Sequence, residues 1–357
     1  MKIHTDVLIV GGGFAGVTVA QSLEEKGIKT LLVDKKDYFE VTFATLRNVA
    51  DPSVTKDKAR KPYKDFLSGR FIQSAVSEMT AHSAVLEDGT QISFDSGVIA
   101  SGTRYPSLPL AKSDAAMELH SRNDEMESFH RELKTANKVL IIGGGVVGVE
   151  LAGEIAYSMP NVQVTLAHNT GTLLNGFKEK AQKKSLQQLQ KLGVTVEFNR
   201  RYVNKDGRFV DQESGDISDA DLVYQATGVL PNNMYLKPKL AHILNEQGFV
   251  VVDDRLEVIG EENLYALGDI ADVGEAKLGY LAAEQGKYLA NLIIKKRKGK
   301  TSKAYKRNPL MALIPVGPRQ GLFQLPFAVT TSNLLVGLKQ KDLFISKVYK
   351  EFGAVSN

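Results

Sequence analysis

Six glycines, set as Gly11-x-Gly13-x-x-Gly16 and Gly143-x-Gly145-x-x-Gly148, carry the most legible chemistry of this chain. In such a phrase the first glycine allows a tight turn. The second lets backbone N–H groups approach a pyrophosphate, and the third lets a helix press on a sheet. The phrases read DVLIVGGGFAGVTVAQ (6–21) and VLIIGGGVVGVELAGE (139–154), and their first glycines, Gly11 and Gly143, lie 132 residues apart. Gly12, Phe14 and Ala15 complete the first loop. Asp34 stands 18 residues after Gly16, at the end of KTLLVDKK, placed to accept hydrogen bonds from a ribose diol. The second unit ends its strand QVTLAH in His168, followed by Asn169 and Thr170. A carboxylate there would favour NADH, and an arginine would favour the 2′-phosphate of NADPH. Neither is present, so the choice between NADH and NADPH stays open.

These residues need particular elements around them. The apolar, β-branched run DVLIV reads as a strand buried on both faces. The helix FAGVTVAQSLEEKG follows, closed by Gly27, with its positive N-terminal end toward a bound anion. KVLII, the second phrase, the helix VELAGEIAYSM and the strand QVTLAH repeat the plan. A glycine-rich turn can merely fit a helix to a strand, but here strand, glycines, helix, strand and acid come in order. Two such units predict two dinucleotides: a resident FAD and a transient NADH or NADPH whose hydride passes to the flavin. A duplication kept only for structure is the alternative.

Composition narrows the classes. The chain has 357 residues, enough for two ordinary cores and a small appendage. It is 43% hydrophobic and 24% charged, as soluble globular proteins are. No apolar run approaches the roughly 20 residues of a membrane span, and no signal peptide is expected. Lys2 occupies position 2, so myristoylation is not expected. A soluble, cytoplasmic location follows. The sequence contains no cysteine, which excludes disulfides, thiolate metal sites, iron–sulfur ligation and CxxC relays. The six histidines are scattered, so no metal is expected. The net charge of +4 permits an acidic partner without requiring one, and nucleic acid is not an expected partner.

GVIASGTRYP (97–106) and LVYQATGVLPNN (222–233) read as strands ending in a small-Ser/Thr-Gly turn, and NLYALGDIAD (263–272) as a strand ending at Gly268-Asp269. This order resembles the two-dinucleotide flavoproteins of the glutathione-reductase superfamily. The resemblance implies that Asp269 binds the ribityl chain of FAD. Disulfide reductases of that group need cysteines beside the flavin, so those branches are excluded. VGGGFAG…LLVDKKDYFEVTFATLR, VLIIGGGVVGVELAGEI, VTLAHN, NLYALGDIADV…KLGYLA and KDLFISK further resemble the ferroptosis-suppressor and apoptosis-inducing-factor-like family of FAD-dependent NAD(P)H:quinone oxidoreductases, related to type II NADH dehydrogenases. The similarity covers nearly the whole chain. It implies oxidation of NAD(P)H through FAD and reduction of a quinone. Carried over by position, Gly11 to Ala15, Asp34, Arg47, Val76 and Asp269 would contact FAD, Val76 through its backbone at the adenine.

Glu150, two residues after Gly148, reads as starting the second helix, from where it would orient the nicotinamide carboxamide or ribose. A carboxylate that only complements the helix dipole is the alternative. Thr227, Gly228, Pro231 and Asn232 would line the NAD(P)H channel. The helix KLGYLAAEQGKYLANLIIKK (277–296) should aim its N-terminus at the flavin pyrimidine edge. Glu284 and Gln285 loosely match a quinone motif of type II dehydrogenases, with an ordinary solvated helix face the simpler reading. KKRKGKTSKAYKR (295–307) reads as a solvated connector, or as cations attracted to anionic lipid where quinone resides. The C-terminal segment reads as short strands and an amphipathic stretch that would cover the flavin, make a homodimer contact or touch membrane.

The predicted fold class is α/β: two Rossmann-like dinucleotide-binding domains of the glutathione-reductase-like flavoprotein fold, with a small C-terminal α+β cap. The expected domains are 1–109 with 255–308 for FAD, 110–254 for NAD(P)H, and 309–357 as the cap. The rival functions are a ferredoxin or rubredoxin reductase docking an acidic partner on the basic run, and a redox-sensing apoptosis-inducing-factor-like flavoprotein that binds nucleic acid or protein.

Overall fold

The structure, a computed structural model, describes residues 1–354, so the last three residues of the expected 309–357 cap lie outside it. Eight helices of six residues or more are present among the described residues. They are α1 Phe14–Glu24, α2 Thr45–Ala50, α3 Leu119–Thr135, α4 Val146–Ser158, α5 Glu179–Lys191, α6 Gly279–Arg297, α7 Asn333–Gln340 and α8 Ile345–Glu351.

The first sheet has seven strands. Strands 70–73, 30–34, 2–10 and 91–99 lie side by side and parallel, and 264–266 joins 91–99 from the far end of the sequence. A hairpin, 76–79 with 83–86, adds an antiparallel edge. The run Val7–Val10 is buried throughout, as a strand covered on both faces requires. The second sheet has four parallel strands in the order 195–198, 163–168, 138–142, 222–225. The architecture is α/β with two doubly wound, dinucleotide-type units, as the sequence predicts.

The two glycine phrases share one backbone plan in detail. Gly11 has φ +107° and Gly143 φ +117°, values that an L side chain rarely adopts. The caps Gly13 and Gly145 have φ/ψ of −75°/−170° and −76°/−172°. The N–H of Gly11 reaches Val33 O at 2.8 Å, and that of Gly143 reaches Ala167 O at 2.8 Å. A methyl group on Gly16 or Gly148 would collide with the carbonyl of Gly11 or Gly143, so in each unit only glycine lets the helix close on the loop.

The C-terminal piece is α+β, as expected. Strands 312–315, 321–324 and 329–330 form an antiparallel sheet packed on α4 and α5, and α7 covers it. Beyond it α8 docks on the first unit. The Tyr349 ring meets Phe39 edge-on at 6.0 Å, and its hydroxyl donates to Phe39 O at 3.3 Å and Ala59 O at 3.1 Å. Phe352 stacks on Phe66 at 5.9 Å and meets Phe39 edge-on at 5.1 Å. Tyr349→Ala should therefore lower stability by about 3–5 kcal/mol, and Tyr349→Phe, which loses only the hydroxyl, by about 1 kcal/mol. Urea unfolding followed by circular dichroism checks both, and equal losses would show that the ring contributes nothing.

Candidate functional site

The first loop is closed by its own acid. Asp34 accepts the N–H of Gly12 at 2.5 Å and that of Lys36 at 2.8 Å. Burial raises its carboxyl above the usual range, and the two N–H bonds only partly oppose this. Tyr63, which no sequence signal marked, lies over the loop and donates from its hydroxyl to Gly12 O at 2.8 Å. Where a side chain of Gly13 would project there is open space, so the N-terminus of α1 is free to take an anion. Phe14 and Ala15 begin α1. Val76 starts the strand 76–79, three residues past Gln73, which is the sheet partner of Asp34. These residues lie at one end of the first sheet.

The second loop has a histidine where the first has an acid. Gly144 N–H donates to His168 Nδ1 at 3.2 Å, so in the neutral ring the hydrogen sits on Nε2. Burial lowers the His168 pKa, which favours the neutral ring, and Nε2 is buried without a partner among the described residues. The open space at Gly145 matches that at Gly13.

Between the units the chain crosses twice, and the crossings pair: 103–104 runs antiparallel to 230–231. Asn232, expected in a nucleotide channel, has its amide donating to Ser101 O at 2.8 Å, while its own carbonyl accepts from Ser101 Oγ at 2.8 Å. It ties the crossings together. Thr227 and Gly228 remain exposed beside it, with Gly228 at φ +126°, and Pro231 is buried.

Gly268 and Asp269 follow the strand 264–266. The Asp269 carboxylate accepts from Thr103 Oγ1 at 2.9 Å and Lys112 Nζ at 3.0 Å. Burial pushes this carboxyl up, but Lys112 and Thr103 more than offset that and hold it below the usual range. Lys277 donates to Asp269 O at 2.7 Å. Lys112 and Lys277 had no spacing signal in sequence, because lone lysines acquire meaning only through the fold. Gln285 corrects the solvated-face reading. It is 4% exposed, accepts from Gly268 N–H at 2.7 Å and donates to Glu275 at 2.7 Å, so it clamps the Gly268 turn. Glu284 is on the exposed face, paired with Lys287.

Arg47 also differs from its expectation. Placed on the flavin side by position, it commits Nε and Nη2 to Glu154 at 3.0 and 2.7 Å and Nη1 to Gln340 O at 3.0 Å. It is 1% exposed, so its guanidinium is committed inside the protein. Glu150 lies not in the first turn of α4 but in the second, one turn before Glu154. Its carboxylate is 3.5 Å from Lys339 Nζ, and burial raises its pKa against the pull of that ammonium. Lys339 in turn donates to Leu313 O at 2.9 Å and lies 5.5 Å over the Phe43 ring. Residues from α2, α4 and α7 thus converge on a buried charged cluster. The basic run is also less free than expected, since Lys296 bonds the Tyr265 hydroxyl and Arg297 pairs with Asp6. Among the described residues no helix is long and apolar enough to cross a membrane.

Comparison with known proteins bears on this geometry. The profile of the family described as pyridine nucleotide-disulphide oxidoreductase matches residues 5–286. The chain is 31% identical to ferroptosis suppressor protein 1 of Xenopus tropicalis, over 97% of this chain and 96% of that protein. It is 29% identical to apoptosis-inducing factor homolog B of Dictyostelium discoideum, over 96% and 95%. Among solved structures, reduced Bacillus anthracis CoADR-RHD superposes with a TM-score of 0.74 at 19% identity. That match covers 92% of this chain and 62% of the other, and it speaks to the fold.

The buried pair makes a sharp stability test. Arg47→Ala should cost about 3–5 kcal/mol, because Glu154 is left buried and uncompensated. The double change Arg47→Met with Glu154→Leu should cost far less. Thermal unfolding of both checks this, and a single variant as stable as the parent would remove the pair from any role in the fold.

Proposed function

The chain belongs to the pyridine nucleotide-disulphide oxidoreductase family, in the branch with ferroptosis suppressor protein 1, and from that premise we propose that it is an FAD-dependent NAD(P)H:quinone oxidoreductase. Membership makes it a flavoprotein oxidoreductase that uses a pyridine nucleotide. The observation that carries the finer reading is the pair of glycine loops built to one backbone plan in a chain without a single cysteine. Two cradles serve two dinucleotides, and with no thiol relay the electrons leave directly for an external acceptor.

Bound FAD would supply the chemistry, accepting a hydride equivalent from the dihydronicotinamide and passing electrons on. In this reading residues 1–109 and 255–308 hold FAD, 110–254 hold the donor, and 309 onward form the cap. Gly11, Gly12, Gly13 and Gly16 seat the flavin pyrophosphate at the N-terminus of α1, and Asp34 takes the adenosine ribose. Val76 meets the adenine through its backbone. Asp269, held ionised by Lys112 and Thr103, accepts the ribityl hydroxyls at the turn that Gln285 braces through Gly268. Gly143, Gly145 and Gly148 seat the donor pyrophosphate, and the neutral His168 leaves NADH and NADPH both admissible. Glu150, steadied by Lys339, orients the nicotinamide beside Thr227 and Gly228. Arg47 acts through Glu154 to hold the helix that carries Glu150.

The acceptor is proposed to be a quinone. The named relatives motivate this, as does the cap, which brings apolar surface and cations to a chain that would meet a membrane from the cytoplasmic side without spanning it. Purified protein should be yellow with non-covalent FAD and should oxidise NADH or NADPH with short-chain quinones. Asp269→Ala should lose most of the flavin, because the ribityl loses a charged acceptor. Glu150→Gln should keep the flavin but slow its reduction by on the order of tenfold or more, since misplacing the nicotinamide is costly. Stopped-flow reduction checks the second. Colourless protein that cannot be reconstituted with FAD overturns the reading as a whole. Fast turnover with ferredoxin and none with any quinone overturns the acceptor alone.

A further inference from the structure

Phe327 is 98% exposed, while among the described large apolar residues the next value away from the N-terminus is 62%, at Met234. It forms, with Pro326, the two-residue tip of the hairpin joining strands 321–324 and 329–330, and Leu325 N–H bonds Ala328 O at 2.8 Å to close it. The tip is held firmly from behind. Leu322 and Val329 are buried, Gln188 on α5 donates to Gly321 O at 3.0 Å, and Gln340 on α7 donates to Gln320 O at 3.0 Å. A phenylalanine presented in this way adds nothing to the core behind it.

The chain segment that carries the hairpin has charge of one sign. From Gln285 to Lys341 the sequence has twelve lysines and arginines and no aspartate or glutamate. On the other flank, Lys178 donates its backbone N–H to Gln324 just before the tip, and Lys180 and Lys184 follow on α5. The acid of that helix, Glu179, is already paired with Lys183. An exposed aromatic tip in a basic segment, with lysines on the adjoining helix, matches an anionic lipid surface, whose headgroups attract the lysines and whose acyl boundary takes the ring.

We propose that the Pro326-Phe327 tip inserts into anionic bilayer surfaces, with Lys178, Lys180 and Lys184 against the headgroups. This gives the quinone reading above a point of contact with the membrane. It is tested separately from the flavin chemistry, because the readout below does not depend on turnover.

The chain contains no tryptophan, so Phe327→Trp creates a single reporter at the tip. On phosphatidylcholine–phosphatidylserine vesicles its emission should shift to the blue, be quenched by bromine-labelled acyl chains, and revert as salt rises. Phe327→Ala should keep the melting temperature and weaken sedimentation with these vesicles by on the order of tenfold, the loss of one buried ring. An unshifted spectrum with anionic vesicles overturns the proposal. So does an equal, salt-independent shift on pure phosphatidylcholine, and so does a lipid-free shift that grows with protein concentration, which would assign the tip to a second copy of the chain.

Discussion

Four charged side chains meet in the interior of this protein, Arg47 with Glu154 and Lys339 with Glu150, and each is at most a tenth exposed. Ions taken out of water cost several kcal/mol each, and their attraction repays this only when hydrogen bonds satisfy the groups that remain. Here they do. Arg47 donates through Nε, Nη1 and Nη2, and Lys339 adds a carbonyl to its carboxylate. The partners come from residues 45–50, 146–158 and 333–340, so the cluster forms only when all three segments are docked at once. An eight-residue helix such as α7 would be marginal in isolation. Its order is a consequence of the charges it must neutralise and of the sheet it covers.

The same dependence explains what could and could not be read from the sequence. The two glycine phrases were legible because their constraints are local. A left-handed φ at Gly11 and Gly143, and the contact of Gly16 and Gly148 with the loop carbonyl, are requirements that only glycine meets. Asp34 was legible through its distance from Gly16. By contrast, Arg47 and Glu154 are 107 residues apart, and Arg47 and Gln340 are 293 apart. No periodicity records a pairing over such separations. Glu150 stands out by its distance from Gly148, but its partner Lys339 does not, since one lysine among many carries no signal until α7 delivers it.

Gln285 shows the opposite error. On a helix with exposed charges nearby, a polar residue reads as solvent-facing, and Glu284 does face solvent. The neighbouring position faces inward because the Gly268 turn presents a backbone N–H that would otherwise be buried without an acceptor. The amide answers that demand and passes its own hydrogens to Glu275. Lys112 and Lys277 gather at Asp269 for a related reason: a buried carboxylate needs cations, and the fold supplies them from segments that no motif connects.

The two loops differ where their proposed tasks differ. The first places a carboxylate against Gly12, the second a neutral imidazole against Gly144. Both acceptors hold the loop N–H, so both keep the turn in shape. A carboxylate also offers charge-assisted bonds to a ribose diol, which are roughly twice as strong as neutral ones. Such bonds favour a cofactor that stays. A neutral ring offers weaker bonds and no repulsion toward a 2′-phosphate, which suits a nucleotide that must leave after each turnover. In the proposed reading, one backbone plan used twice holds a resident and a visitor, and the strand-end side chain, acid at Asp34 and imidazole at His168, is what separates the two.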